Sequence, residues 1–157
     1  MSNLSVKRAS RDFNLLSNVC GSAEAPFLVS VALRGENLFE WMVVVNPPAE
    51  SIYAGVSYKL LLNLHSVHYP MEPPSIQLLT PIFNPMVSVE GSICEGLLKI
   101  FDWKPTKTPV NMLNTLVTAL FLNYKSYDVL NEEAAQLLYI DEAKFIERVN
   151  LLKRNNV

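Results

Sequence analysis

Apolar residues recur with two different periods along the chain, and the change of period separates helices from strands. Near the start, Val6, Ala9, Phe13 and Leu16 fall on one helical face, with Lys7, Arg8, Arg11 and Asp12 elsewhere around it. That spacing predicts an amphipathic helix over 3–17. A connector containing Gly21 runs from Asn18 to Ala25. Three β-rich runs follow, Pro26–Leu33, Leu38–Asn46 and Val56–Leu64. Arg34-Gly35-Glu36-Asn37 reads as a hairpin-like break between the first two, and Asn46-Pro47-Pro48 through Gly55 as a longer one before the third. Ser75–Leu79 is a candidate fourth strand after the prolines Pro70, Pro73 and Pro74. Short sequential links favour an antiparallel meander.

From Thr80 to Thr108 the periodic signal largely disappears. Structureless stretches of that length are uncommon inside domains and are usually functional. This one carries Ile82, Phe83, Val87, Ile93, Leu97, Leu98, Phe101 and Trp103, so it is expected to pack against the domain. Thr108-Pro109 then opens a helix, with a hydroxyl at the N-cap and proline at the first position. It runs to about Leu122 and is apolar nearly all round, the signature of a buried helix. Asn131 caps a third helix with Glu132 and Glu133 at its positive end, and Asp141 caps a fourth to about Lys153. The expected architecture is α+β, one domain over 1–157: helix, four-stranded meander, long ordered loop, helices.

Composition narrows the function classes. Half of the 157 residues are hydrophobic and 18% are charged, as in a globular domain with a real core. The formal net charge is -2 and no basic run suggests nucleic acid. No apolar stretch reaches the length of a membrane span, and the first residues lack the apolar region of a secretory signal. Two cysteines, Cys20 and Cys94, make no disulfide framework, which fits a reducing, intracellular compartment. The two histidines, His65 and His68, have no zinc-ligand spacing, so no metal is expected.

The candidate chemistry lies between Tyr69 and Pro105. Cys94 follows Gly91-Ser92-Ile93 and precedes Trp103-Lys104-Pro105. A free cysteine is most often a small buried hydrophobe. It is also the most nucleophilic ordinary side chain at neutral pH. No Cys-His pairing of the protease kind is visible, and Glu95 beside the thiol would raise its pKa rather than lower it.

Several stretches together resemble the ubiquitin-conjugating enzymes, over nearly the whole chain. Asn37-Leu38-Phe39-Glu40-Trp41, Pro47-Pro48 through Tyr53-Ala54-Gly55, and Tyr69-Pro70-Met71-Glu72-Pro73-Pro74 are similar to that family's motifs. So are Thr80-Pro81-Ile82-Phe83, Gly91-Ser92-Ile93-Cys94, Trp103-Lys104-Pro105 and Asp128-Val129-Leu130-Asn131-Glu132-Glu133-Ala134-Ala135. The Glu90-Gly91 and Trp103-Lys104-Pro105 wording is similar to conjugating enzymes for the cullin-modifying ubiquitin-like protein. One motif departs: where the family has His-Pro-Asn, this chain has Asn84-Pro85-Met86, with Cys94 eight residues after the last of them.

The resemblance implies the ubiquitin-conjugating fold and a thioester of ubiquitin or a ubiquitin-like protein on Cys94, received from an activating enzyme and passed to a lysine or a ligase. It implies no cofactor in this chain, ATP being used by the activating enzyme, a monomer, and a place in the cytoplasm or nucleus. Asp128 matches the family acid that orients and deprotonates the incoming amine; without the resemblance it reads equally as a turn or cap acid. The family's Asn amide supports the loop and stabilises the oxyanion. Met86 has no donor, and loss of one such donor typically costs on the order of 10²–10³ in rate. Asn84 stands where the family has a structural His; it keeps part of that backbone-bonding role or reaches the thioester itself. Lys7, Arg8 and Arg11 match the surface that meets the activating enzyme, or form a solvated face. His65, Lys104, Pro105 and Thr106 match the two loops that face ligases. Tyr124 and Tyr127 flank the Asp128 segment, shaping its gate or packing in the core. The competing reading is a variant of the same fold with weak or no transfer activity, acting as a binding module in the ubiquitin pathway.

Overall fold

The computed structural model describes residues 3–93, 102–125 and 128–156. Helix α1 (Asn3–Val19) leads into strands β1 (Leu28–Arg34), β2 (Asn37–Val45), β3 (Tyr58–Asn63) and β4 (Ser75–Leu78). Helices α2 (Pro109–Phe121), α3 (Glu132–Ile140) and α4 (Glu142–Asn155) follow. The sheet is an antiparallel meander in the order β1-β2-β3-β4, the expected α+β architecture.

Alternation along the strands decides which face is covered. Phe39, Trp41, Val43 and Val45 of β2 are buried, as are Tyr58, Leu60 and Leu62 of β3. The register sets Trp41 opposite Leu62, Val43 opposite Leu60 and Val45 opposite Tyr58, so one face of the sheet is a continuous apolar layer. Leu16 and Ala9 of α1 are buried with it, and Phe13 meets Trp41 edge-on at 5.4 Å. Helix α2 buries Val110, Met112, Leu113, Leu116, Val117, Leu120 and Phe121, as its all-round apolar pattern predicts. Tyr53, Tyr58, Phe121, Tyr124, Phe145 and Phe83 form a linked aromatic cluster at its C-terminal end.

The caps fall where the sequence sets them. Pro109 opens α2, and the Asn111 side chain accepts from the Thr108 N–H at 3.0 Å. Asn131 Oδ1 accepts from Ala134 N at 3.0 Å at the start of α3, and Asp141 Oδ1 from Lys144 N at 3.2 Å at the start of α4. Near the end of α4, Lys153 Nζ donates to the carbonyls of Ile52 (2.8 Å) and Ala54 (2.7 Å). That ties the last helix to the loop between β2 and β3.

Candidate active site

The segment that leads to Cys94 is fastened to the free edge of the sheet. Leu78 N donates to Gly91 O at 2.9 Å, and Gln77 bridges to Ser92 in antiparallel fashion. A small turn holds the other side: Gly91 N donates to Ser88 O (3.0 Å), Ser88 N to Ser92 O (2.9 Å) and Ser92 N to Ser88 Oγ (3.0 Å). Val87 bridges to Ile93, and both are buried. Gly91 has φ +93°, and a Cβ there would stand 2.0 Å from Leu78 O. Only glycine fits so close an approach. The expected nucleophile, Cys94, lies outside the described residues, as do Leu97, Leu98 and Phe101. Of the long loop's other apolar residues, Phe83, Val87 and Ile93 are buried and Ile82 and Trp103 pack against the core.

Asn84-Pro85-Met86 sits at the junction of three elements. The last carbonyls of a helix have no partner within it, and at the end of α2 two are taken by side chains from distant loops. Asn84 Nδ2 donates to Leu120 O at 2.9 Å, and Ser51 Oγ donates to Phe121 O at 2.7 Å. Asn84 Oδ1 accepts from Met86 N at 2.9 Å, closing an Asx turn. Asn84 is wholly buried and both ends of its amide are engaged with backbone, which is a strut's use of the side chain. Tyr53 Oη donates to Phe83 O at 2.6 Å, one residue before. Burial pushes the Tyr53 phenol well above the usual tyrosine range, helped by the neighbouring Tyr124 and Tyr58, with Asn84 pulling the other way. Met86 has no exposed surface; its side chain fills core.

Pro85 joins this strut to the Asp128 segment. Its carbonyl accepts from Leu130 N at 2.8 Å and from Asn131 N at 3.0 Å. Asp128 itself is exposed. Tyr124 is buried and stacked on Phe145 at 5.8 Å, so it packs in the core; Tyr127 lies outside the described residues. Lys125 Nζ donates to Glu142 Oε1 at 2.8 Å, and that bond raises the lysine pKa. A cleft of about 340 Å³ lies beside the segment, lined by Pro85, Tyr124, Val129, Leu138 and Tyr139 among others.

Comparison with known proteins agrees with this fold. The family model described as ubiquitin-conjugating enzyme matches residues 11–152. The chain belongs to the ubiquitin-conjugating enzyme family. It is 30% identical over 149 residues to ubiquitin-conjugating enzyme E2 2 of Saccharomyces cerevisiae, covering 95% of this chain and 82% of that protein. It is 33% identical over 102 residues to the NEDD8-conjugating enzyme ubc12 of Schizosaccharomyces pombe, covering 65% of this chain and 56% of that one. Among solved structures, a ubiquitin conjugating enzyme assignment from Trypanosoma cruzi superposes with a TM-score of 0.81 at 31% identity, over 96% of this chain and 99% of the other. A Plasmodium yoelii structure shares the fold with a TM-score of 0.85 at 22% identity, over 100% of this chain and 97% of that one.

The residues that the conjugating-enzyme resemblance places at partner surfaces divide into two kinds. Lys7 and Arg11 on α1 are exposed. Arg8 is turned inward, against the expectation of a free surface cation. Its Nε donates to Asp12 Oδ2 at 2.8 Å, and its two terminal nitrogens donate to Pro105 O (2.6 Å) and Lys107 O (2.7 Å). Asp12 is fully buried, and a buried carboxylate demands such a partner. Trp103 Nε1 donates to Pro70 O at 2.7 Å, so the loop holding Lys104, Pro105 and Thr106 is pinned both to α1 and to the loop after β3. These three residues are exposed. His65 Nδ1 accepts from Val67 N (3.2 Å) and His68 N (3.0 Å), which leaves the imidazole's Nε2 side toward Glu72 at 4.0 Å. Among the described residues no cluster could hold a metal ion, and no helix is long and apolar enough to cross a membrane.

Two contributors escaped the sequence reading. Ser51 is one small hydroxyl in a polar loop, with nothing local to mark its reach to Phe121. Asn131 was legible as a helix cap, but not as a donor to Pro85.

Proposed function

We propose that this conjugating-enzyme family member carries ubiquitin or a ubiquitin-like protein as a thioester on Cys94 and passes it to a lysine or to a ligase. The observation that carries the reading is the clip between Pro85 and residues 130–131. It holds the Asp128 segment against the tripeptide that, eight residues on, is followed by Cys94. The sheet-edge anchoring of Gly91 to Ile93 supports it, because the residue before the thiol has a fixed place.

In the first step the Cys94 thiolate attacks the carbonyl of the activating enzyme's thioester, and the tetrahedral intermediate expels that enzyme's thiolate. In the second, an amine attacks the Cys94 thioester, loses its proton toward Asp128, and Cys94 leaves as thiolate. Asn84 acts by holding Pro85 in place. Met86 offers no donor to the oxyanion. Both steps are acyl transfer without redox change, so the chain needs no cofactor; ATP is consumed by the activating enzyme. Lys7 and Arg11 meet the activating enzyme, and the loops with His65 and with Lys104 to Thr106 meet the ligase. A reducing compartment, cytoplasm or nucleus, keeps Cys94 as a thiol.

The second reading, a binding module that transfers little or nothing, is favoured by one observation. Asn84 is wholly buried with both ends of its amide bonded to backbone, and Met86 lies in the core, so neither side chain is presented at the surface as an oxyanion donor. Incubation with ATP, activating enzymes and a panel of modifiers separates the two. The carrier reading expects a reductant-sensitive adduct lost in Cys94→Ala and kept in Cys20→Ala. It also expects discharge to free lysine slowed about tenfold in Asp128→Ala. An adduct that survives in Cys94→Ala overturns the thiol assignment. The absence of any adduct supports the binding module.

A further inference from the structure

We propose that Asn131 is the positioning residue for Asp128: it hangs the acid's segment from the Pro85 carbonyl and locks it by capping α3. This rests on the carrier reading above and names a further residue of that same site. Three bonds meet on Asn131. Its backbone N–H donates to Pro85 O at 3.0 Å, beside that of Leu130 at 2.8 Å. Its Oδ1 accepts from Ala134 N at 3.0 Å, and its carbonyl accepts from Ala135 N at 3.0 Å. The residue is therefore tied to the motif loop on one side and to the first turn of α3 on the other.

What lies N-terminal to it has few fixings of its own. Asp128, Val129 and Leu130 are exposed, and no ion pair to Asp128 occurs among the described residues. Val129 lacks the fixed φ that a proline would supply. An exposed carboxylate on an extended segment samples many positions unless its far end is held, and a misplacement of about 1 Å at a reacting centre is enough to lose about 10²-fold in rate. The far end is held two and three residues on, at Leu130 and Asn131. The partner there, Pro85, belongs to the loop that Asn84 braces against the end of α2. The acid thus takes its place from the motif loop through Asn131, rather than from contacts of its own carboxylate.

The test is single-turnover discharge to free lysine from protein preloaded at Cys94. Asn131→Ala keeps the backbone N–H but drops the cap, and discharge is expected to slow about fivefold, the factor a lost cap typically represents. Loading, which needs no amine deprotonation, stays within twofold and shows that the variant is folded. Asn131→Asp and Asn131→Ser, which restore a capping oxygen, return discharge to within twofold. In an Asp128→Ala background, Asn131→Ala is expected to have no further effect, since a residue acting through another is non-additive with it. Equal slowing with and without Asp128, or no rescue by Asp or Ser, overturns the proposal.

Failure of the carrier reading looks different: no modifier loads at Cys94. Amide exchange on the unloaded chain then still decides the matter. The Leu130 and Asn131 amides are expected to exchange slowly in the natural protein, about fivefold faster in Asn131→Ala, and slowly again in Asn131→Asp. Fast exchange at both amides in the natural protein removes the clip and the proposal with it.

Discussion

Tyr69 Oη donates to Asp12 Oδ2 of α1 at 2.5 Å, and both residues are buried. Arg8 Nε reaches the same oxygen at 2.8 Å, while Asp12 Oδ1 has no hydrogen bond among the described residues and the Arg11 guanidinium stands 3.8 Å off. Hydrogen bonds to charged groups contribute roughly 1.5–3 kcal/mol. Tyr69→Phe is therefore expected to cost about 2 kcal/mol, and Asp12→Ala more, because it strips Arg8 of its counter-charge and loosens the segment around Pro105 and Lys107. Urea denaturation at neutral pH measures both. A Tyr69→Phe midpoint equal to that of the natural protein would show the bond to be neutral.

The buried phenols set an alkaline limit. Burial raises the pKa of Tyr53, Tyr58 and Tyr69, and for Tyr69 the bond to Asp12 adds to it. In the unfolded chain they ionise near 10. Above that pH the unfolded state binds fewer protons than the native one, so stability is intact below about pH 10 and falls as pH rises beyond it. Each such phenol contributes a slope of about 1.4 kcal/mol per pH unit. Absorbance titration at 295 nm should show Tyr53, Tyr58 and Tyr69 ionising only on unfolding. Titration of these three phenols near pH 10, with the fold intact, would contradict this.

Gly91→Ala tests the seat of the segment that precedes Cys94. The new Cβ meets a backbone oxygen rather than a flexible side chain, at a positive φ that disfavours any L residue. The segment has to lift from β4. Loss of roughly 2 kcal/mol in stability is expected, together with slowed thioester formation. If loading keeps its full rate, the Leu78–Gly91 contact does not place Cys94.

Met86→Asn exchanges a filled core position for an amide. Loss of the buried thioether and burial of a polar group lower stability by about 3 kcal/mol. Discharge to lysine from the remaining folded protein is expected to rise, by up to the order of 10², because the amine step builds an oxyanion that the natural chain leaves without this donor. Unchanged discharge would mean that position 86 faces away from the thioester.

The parts of this chain legible in its sequence are those that local periodicity and capping dictate. Alternation in Leu38–Asn46 marks the buried face of β2, and Thr108-Pro109, Asn131 and Asp141 mark helix starts within a residue. Boundaries drift where tertiary pairing decides: α1 runs on to Val19, and β1 begins at Leu28, where pairing with Val45 begins. In the long loop, burial was foreseeable from its apolar content, but the bridges of Ser92 to Gln77 and Ile93 to Val87 were not. They depend on backbone groups that carry no side-chain signature. The same holds for Pro85, whose carbonyl is invisible to any reading of residue types. Arg8 misleads for the opposite reason: a cation on a helix reads as surface until Asp12, four residues on, proves to be buried.

The anchoring of Lys153 has a consequence for the chain as a target of its own chemistry. Its Nζ is committed to two carbonyls, those of Ile52 and Ala54. An amine becomes a nucleophile only after shedding a proton and turning its lone pair outward, and here both moves would unfasten the final helix from the β2–β3 loop. Lys153 is thus a lysine that self-modification and amine-reactive labels should reach slowly, and its rapid labelling would report that α4 has come away.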